Sequence, residues 1–155
     1  MGIVKTGAPA PEFTLAGMNG EQQSLQQLRG AGPVLLAFFK VSCPTCQYTF
    51  PFLERFHSKL AVVGISQNGG RETAAFNAEF GVGFPVLLDP ADDGYPVSNG
   101  FRITHVPSLF LVEPDGTISL TSVGFLKADL EELARRFAVT PLFHKDERIE
   151  AFRAG

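Results

Sequence analysis

With 155 residues, 45% of them hydrophobic and 19% charged, the chain suits one domain with a substantial core and carries no disordered bias. Thirteen Lys and Arg against sixteen Asp and Glu leave a net charge of −3, which excludes the basic field expected of a nucleic-acid or anionic-membrane binder. No apolar run reaches the roughly eighteen residues of a spanning helix, and the first residues lack the apolar h-region of a secretory leader. The sequence thus predicts a soluble protein, cytoplasmic as it stands and periplasmic or extracytoplasmic if a leader has been removed.

After a Pro-rich start, residues 12–15 read as a short strand with a turn at 17–20, and 24–28 as one helical turn ending at Arg29-Gly30. Pro33 opens a strand over 34–39 whose apolar residues are continuous rather than alternating, the mark of a strand covered on both faces. A helix is predicted from Pro44 to about Leu60, with Phe52, Phe56 and Leu60 along one side. Another buried strand follows at 61–65, then a loop at Asn68-Gly-Gly and a helix over 71–80. Residues 85–88 make a third strand of the parallel set, and 95–101 a short helix. From Ser108 the pattern changes to a hairpin, 109–112 and 117–123, around Glu113-Pro-Asp-Gly116. Leu130, Leu133, Ala134 and Phe137 mark a closing helix. The polar tail, 140–155, has no clear period; Phe143 and Phe152 predict that it packs back on the body. The expected fold is therefore α/β, a single domain of three α/β/α layers with a mixed central sheet and an N-terminal β extension, its core spanning about 8–137.

The chemistry is concentrated where the 34–39 strand runs into Cys43-Pro44-Thr45-Cys46, which holds both of the chain's cysteines. A domain stapled by disulfides would scatter several pairs, whereas this loop is too small to constrain the unfolded chain much. Pro44 suits the first helical position, which makes Cys43 the N-cap and sets Cys46 one turn deeper. The unpaired N–H groups and positive end of the helix then favour a Cys43 thiolate. Cys43 is assigned as the nucleophile and Cys46 as the resolving thiol of a disulfide exchange. A structural zinc needs about four ligands, and His57, His105 and His144 offer no pair at ligand spacing, so no metal or other cofactor is expected.

On these residues the chain resembles the thioredoxin-like superfamily, and within it the TlpA/ResA and redoxin type of thiol-disulfide oxidoreductase. Besides the strand and Cys43-Pro44-Thr45-Cys46, the likeness rests on Phe13-Thr-Leu, Phe84-Pro-Val-Leu-Leu-Asp89, Ile103-Thr-His-Val-Pro107-Ser-Leu-Phe-Leu-Val and Pro114-Asp-Gly116. Pro51 matches a helix-kinking proline of thioredoxins. The resemblance implies that Pro107 is cis and lies beside the dithiol. It also implies that the backbone of Val106 pairs with an extended substrate segment, with Pro44 and Thr45 sharing the contact. Lys40, before the motif, and His105, near Pro107, are possible modulators of Cys43. A solvated lysine and an idle loop histidine are the competing readings. The chain departs from the family at Ser42, where thioredoxins carry tryptophan, and at Ala37, where they carry a buried carboxylate. Residues 65–68, Ile-Ser-Gln-Asn, offer only amides where ResA-like proteins place an acid.

Exchange with protein or peptide thiols and disulfides is the expected activity, in the reducing direction and with an upstream redox partner to reset the pair. A peroxiredoxin-like peroxidase is one alternative, but its threonine and proline positions hold Lys40 and Leu36. A glutaredoxin is disfavoured by the extension before the first buried strand. A non-enzymatic thioredoxin-fold peptide-binding module is the remaining alternative.

Overall fold

The computed structural model describes residues 2–155; Met1, where the leader-free reading begins, lies outside them. Its centre is β3 (Val34–Phe39), buried at every position. The strand pairs in parallel with β4 (Ala61–Ser66) and antiparallel with β6 (Ser108–Val112). Alternate side chains of a strand point to opposite faces, and both faces are covered here. Leu35, Ala37 and Phe39 pack with Cys46, Phe50, Leu53, Phe76 and Leu130; Leu36 and Phe38 pack with Leu25, Val97, Phe101 and Phe110. That double burial is the physical reason for the unbroken apolar run.

The seven-stranded sheet has the order β2 (Gln22–Ser24), β1 (Thr14–Gly17), β5 (Val86–Leu88), β4, β3, β6, β7 (Ile118–Val123). Strand β5 continues the parallel set beside β4, and β7 closes the other edge antiparallel to β6. The N-terminal extension, β1 and β2, adds antiparallel to β5. Strand β2 has no counterpart in the sequence reading: its Gln-Gln-Ser has no apolar signal and exists through main-chain pairing. Helix α1 (Leu25–Leu28) starts with a reciprocal cap, Gln27 N–H donating to Ser24 Oγ at 3.1 Å and Ser24 N–H to Gln27 Oε1 at 2.8 Å.

Helices α2 (Pro44–Glu54), α3 (Gly70–Phe80) and α5 (Lys127–Arg136) contribute to the cluster around Phe39, while α1 and α4 (Pro96–Gly100) serve the cluster around Phe38. The α2 boundary differs from the expected one. Regular helix stops at Glu54, and tighter turns follow, with Phe56 N–H donating to Leu53 O and His57 N–H to Glu54 O. Phe56 and Leu60 are still buried, because a tight turn returns side chains to one side much as a helix does. The Glu54 carboxylate holds this end in place by accepting the Gly83 and Phe84 N–H groups at 2.8 and 3.2 Å.

The tail is tied by particular contacts. Arg55 donates to Leu142 O and forms a two-pronged pair with Glu147 at 2.8 and 2.7 Å, and Phe143 packs edge-on to Phe52. Further on, β9 (Phe152–Arg153) pairs antiparallel with β8 (Phe125–Leu126). The Phe152 side chain corrects the sequence reading: it is 56% exposed and anchors nothing. Main-chain pairing holds the segment, and alternation turns Arg153, not Phe152, toward the body, where its guanidinium lies 4.4 Å from the Tyr48 ring centre.

Candidate active site

The C-terminal end of β3 delivers the chain into the loop 40–42, which is braced from two directions. Val41 N–H donates to Asn68 Oδ1, and Val41 O accepts from Gln47 Nε2, both at 2.9 Å. Cys43 then caps α2 with extended backbone, Pro44 stands in the first turn, and Cys46 N–H donates to Cys43 Sγ at 3.1 Å. Both cysteines are free thiols, Cys43 partly exposed and Cys46 fully buried.

The two sulfurs are driven apart in acidity. Cys43 is lowered to about 6, chiefly by a hydrogen bond from the Cys46 side chain, against the opposing effect of burial. The Cys46 and Thr45 backbone groups and the charge of Arg153 lower it further. Cys46 is raised, first by burial among apolar side chains, then by its hydrogen bond to Cys43 and by the charge there. At neutral pH the outer sulfur is an available thiolate and the inner one holds its proton. Ala37, on the same face as Cys46, is fully buried, so β3 offers no carboxylate to receive that proton.

The loop before β6 completes the cluster. The Val106–Pro107 peptide is cis, and Val106 O lies 3.4 Å from Cys43 Sγ, accepting its proton when the sulfur is protonated. Pro107 is buried and its carbonyl accepts from Gly124 N–H at 2.8 Å. Pro44 is exposed beside the sulfur, while Thr45 is buried and donates through Oγ1 to Ala154 O at 2.6 Å. Cys43, Cys46, Thr45, Val106 and Pro107 therefore converge. Lys40 and His105 are exposed and line a neighbouring cleft of about 220 Å³ with Gln67, Tyr95 and Asn99. The Lys40 carbonyl accepts the Cys43 N–H at 3.2 Å, while the side-chain cation whose charge lowers Cys43 is Arg153.

Sequence reasoning missed Arg153, Ala154 and Gly155 at the site, and Asn68 and Gln47 as its braces. The tail has no periodic signal, since it is placed by two backbone pairs to β8. In the sequence Asn68 belongs to a loop, Asn68-Gly-Gly. The available clue was its position just past β4, which runs parallel to β3 and ends beside the same loop. Asp89 is also fully buried, but it is engaged structurally, accepting Val97 N–H, Ser98 N–H and Ser98 Oγ–H at 2.6–3.1 Å to start α4. Among the described residues no three His, Cys, Asp or Glu side chains gather as metal ligands, and no helix is long and apolar enough to cross a membrane.

Comparison with known proteins agrees with this architecture. Residues 6–121 match the AhpC/TSA family. The thiol-disulfide oxidoreductase ResA of Bacillus subtilis is 30% identical over 127 residues, covering 78% of this chain and 69% of that protein. A solution structure of a putative protein disulfide isomerase from Bacteroides thetaiotaomicron superposes with a TM-score of 0.77 at 25% identity, covering 89% of this chain and 92% of that one. A putative thiol:disulfide interchange protein DsbE from Chlorobium tepidum gives 0.72 at 26% identity, over 91% and 99% of the two chains.

Proposed function

Since the chain belongs to the AhpC/TSA family and is a thioredoxin-like thiol-disulfide oxidoreductase, we propose that Cys43 and Cys46 form its redox pair and reduce protein disulfides. The observation that carries the reading is the Cys43 sulfur at the α2 N-cap, receiving the Cys46 N–H at 3.1 Å with an acidity near 6. In the first step the Cys43 thiolate attacks a substrate disulfide, forming a mixed disulfide and expelling one substrate thiolate, which takes a proton. With Cys43 so engaged, its charge no longer holds the proton on Cys46. Cys46 then loses that proton to water or the departing thiolate and attacks Cys43 Sγ, closing the Cys43–Cys46 disulfide and releasing the second thiol. Two electrons pass to the substrate, and an upstream dithiol donor restores the pair; no cofactor enters. Val106 and the cis Pro107 form the edge along which the substrate backbone aligns, with Pro44 and Thr45 flanking it.

The reducing direction is supported by the Cys43 acidity, which lies nearer the ~7 of thioredoxin than the ~3.5 of DsbA. Further stabilisation of the reduced form is what makes such a pair an oxidant. A cytoplasmic setting, where thiols are held reduced, fits the same direction. Titration of the Cys43–Cys46 couple in thiol redox buffers tests it. The expected potential lies between about −270 and −200 mV; one near −120 mV would reverse the assignment.

A further inference from the structure

The edge just assigned to substrate is already occupied by the chain itself. Residues 151–155 run extended from β9 across the mouth of the site. Lys127 N–H donates to Ala151 O at 3.0 Å, Phe125 and Leu126 pair with Arg153 and Phe152, and Thr45 Oγ1 donates to Ala154 O. Arg153 stacks on Tyr48 and reaches Glu150 at 3.4 Å. At the end of this run Gly155 sits against the loop before Pro107 so closely that a Cβ there would collide with Val106 O. The same Cβ would stand 3.0 Å from Val106 C and 3.3 Å from His105 Cβ. The carbonyl crowded by Gly155 is the one 3.4 Å from Cys43 Sγ.

We propose that β8, Thr45 and Val106 form one strand-docking site for an extended segment of a partner protein, and that residues 151–155 fill it as a displaceable strap. The strap reproduces how a strand would bind there: main-chain pairing on β8, a carbonyl received by Thr45, and backbone contact at Val106. It also defines the chemistry favoured in a partner. The position facing Val106 admits no side chain beyond glycine without movement, and a cationic residue two positions earlier would rest over Tyr48. Displacement is inexpensive because Ala151, Phe152, Ala154 and Gly155 are all exposed and the strap buries little apolar surface. A small disulfide needs only the Cys43 sulfur, whereas an extended protein segment needs the strap's place.

This inference rests on Cys43 as the attacking thiol, and the test separates the two. In the 155-residue chain carrying Cys46→Ser, mixed-disulfide formation is followed with two probes that each give a Cys43–S–S–probe bond. One is hydroxyethyl disulfide, releasing mercaptoethanol; the other is a ten-residue Arg-Cys-Gly-containing peptide with its cysteine activated as a pyridyl disulfide, releasing thiopyridone. Gly155→Val and, in a separate variant, Gly155→Leu should each speed the peptide reaction on the order of tenfold, as expected when the open fraction limits binding. The small disulfide should change less than about twofold, since its access does not depend on that fraction. Hydrogen exchange over residues 152–153, which pair with β8 in the free chain, should rise when the peptide is attached to the otherwise unaltered chain. Peptide rates unmoved by both substitutions, equal acceleration of both probes, or residues 152–153 still protected in the peptide adduct would each overturn the strap while leaving Cys43 as nucleophile. Failure of both probes in every variant would overturn the Cys43 assignment itself, and the docking site with it.

Discussion

Exchange with a small disulfide should be faster at Cys43 than at an ordinary cysteine in neutral solution and slower in alkali. The perturbation is pH alone. With its acidity at about 6 rather than 9.0, Cys43 is about 90% thiolate at pH 7, against about 1% for an unperturbed thiol. That near 90-fold advantage is offset by weaker nucleophilicity. At a Brønsted slope of 0.4–0.5, three units of acidity cost roughly 15- to 30-fold. The net is about three- to sixfold faster exchange at pH 7, and at pH 9 about ten times slower, with the two curves crossing near pH 7.5. Cys46 should not contribute, because it is fully buried and its thiol is pushed up. The assay is stopped-flow exchange of the reduced protein with hydroxyethyl disulfide between pH 4 and 10, with a cysteine-containing random-coil peptide as reference. A Cys46→Ala variant, lacking the largest cause of the shift, should move the midpoint upward. A wild-type midpoint at 8 or above would refute the account of the helix cap and the Cys46 hydrogen bond.

Two further outcomes follow from the same geometry. The depressed acidity of Cys43 also couples to stability of the dithiol form. Between about pH 6 and 9 the unfolded chain binds more protons at this position than the folded one. The Cys43 contribution is therefore complete above about 9 and lost as pH falls through about 6. Thermal unfolding of the reduced protein, compared with Cys43→Ala, should show a difference in Tm that grows with pH across that window; a flat difference would contradict it. Asn68→Ala removes the acceptor of Val41 N–H and should cost about 1 kcal/mol in urea unfolding. A change under about 0.3 kcal/mol would mean that solvent replaces the brace without loss.

The legibility of the site varies residue by residue. Cys43 and Cys46 were readable because helix capping is local: a proline at the first helical position and two thiols three apart define their geometry without any distant partner. Val106 and Pro107 were readable only through family resemblance, since nothing in the local sequence distinguishes a cis X-Pro bond from a trans one. Lys40 and His105 are near the motif residues in sequence, yet both lie in the adjoining cleft, while the side-chain cation that lowers Cys43 comes from more than a hundred positions away. The early end of α2 was hidden because the Phe52, Phe56, Leu60 spacing reports burial rather than hydrogen-bond type.

By itself the sequence determined the layered α/β fold, the order of its principal strands and helices, and the pairing of an outer acidic thiol with a buried inner one. These follow from periodicity and capping, whose physics extends only a few residues. Only the tertiary structure decided what surrounds the thiols: Ala37 leaving Cys46 without a carboxylate, Asn68 and Gln47 bracing Val41, and residues 151–155 lying across Val106. Those are long-range encounters. Residues 151–154 are held largely by main-chain hydrogen bonds, which leave no periodic residue pattern to announce them.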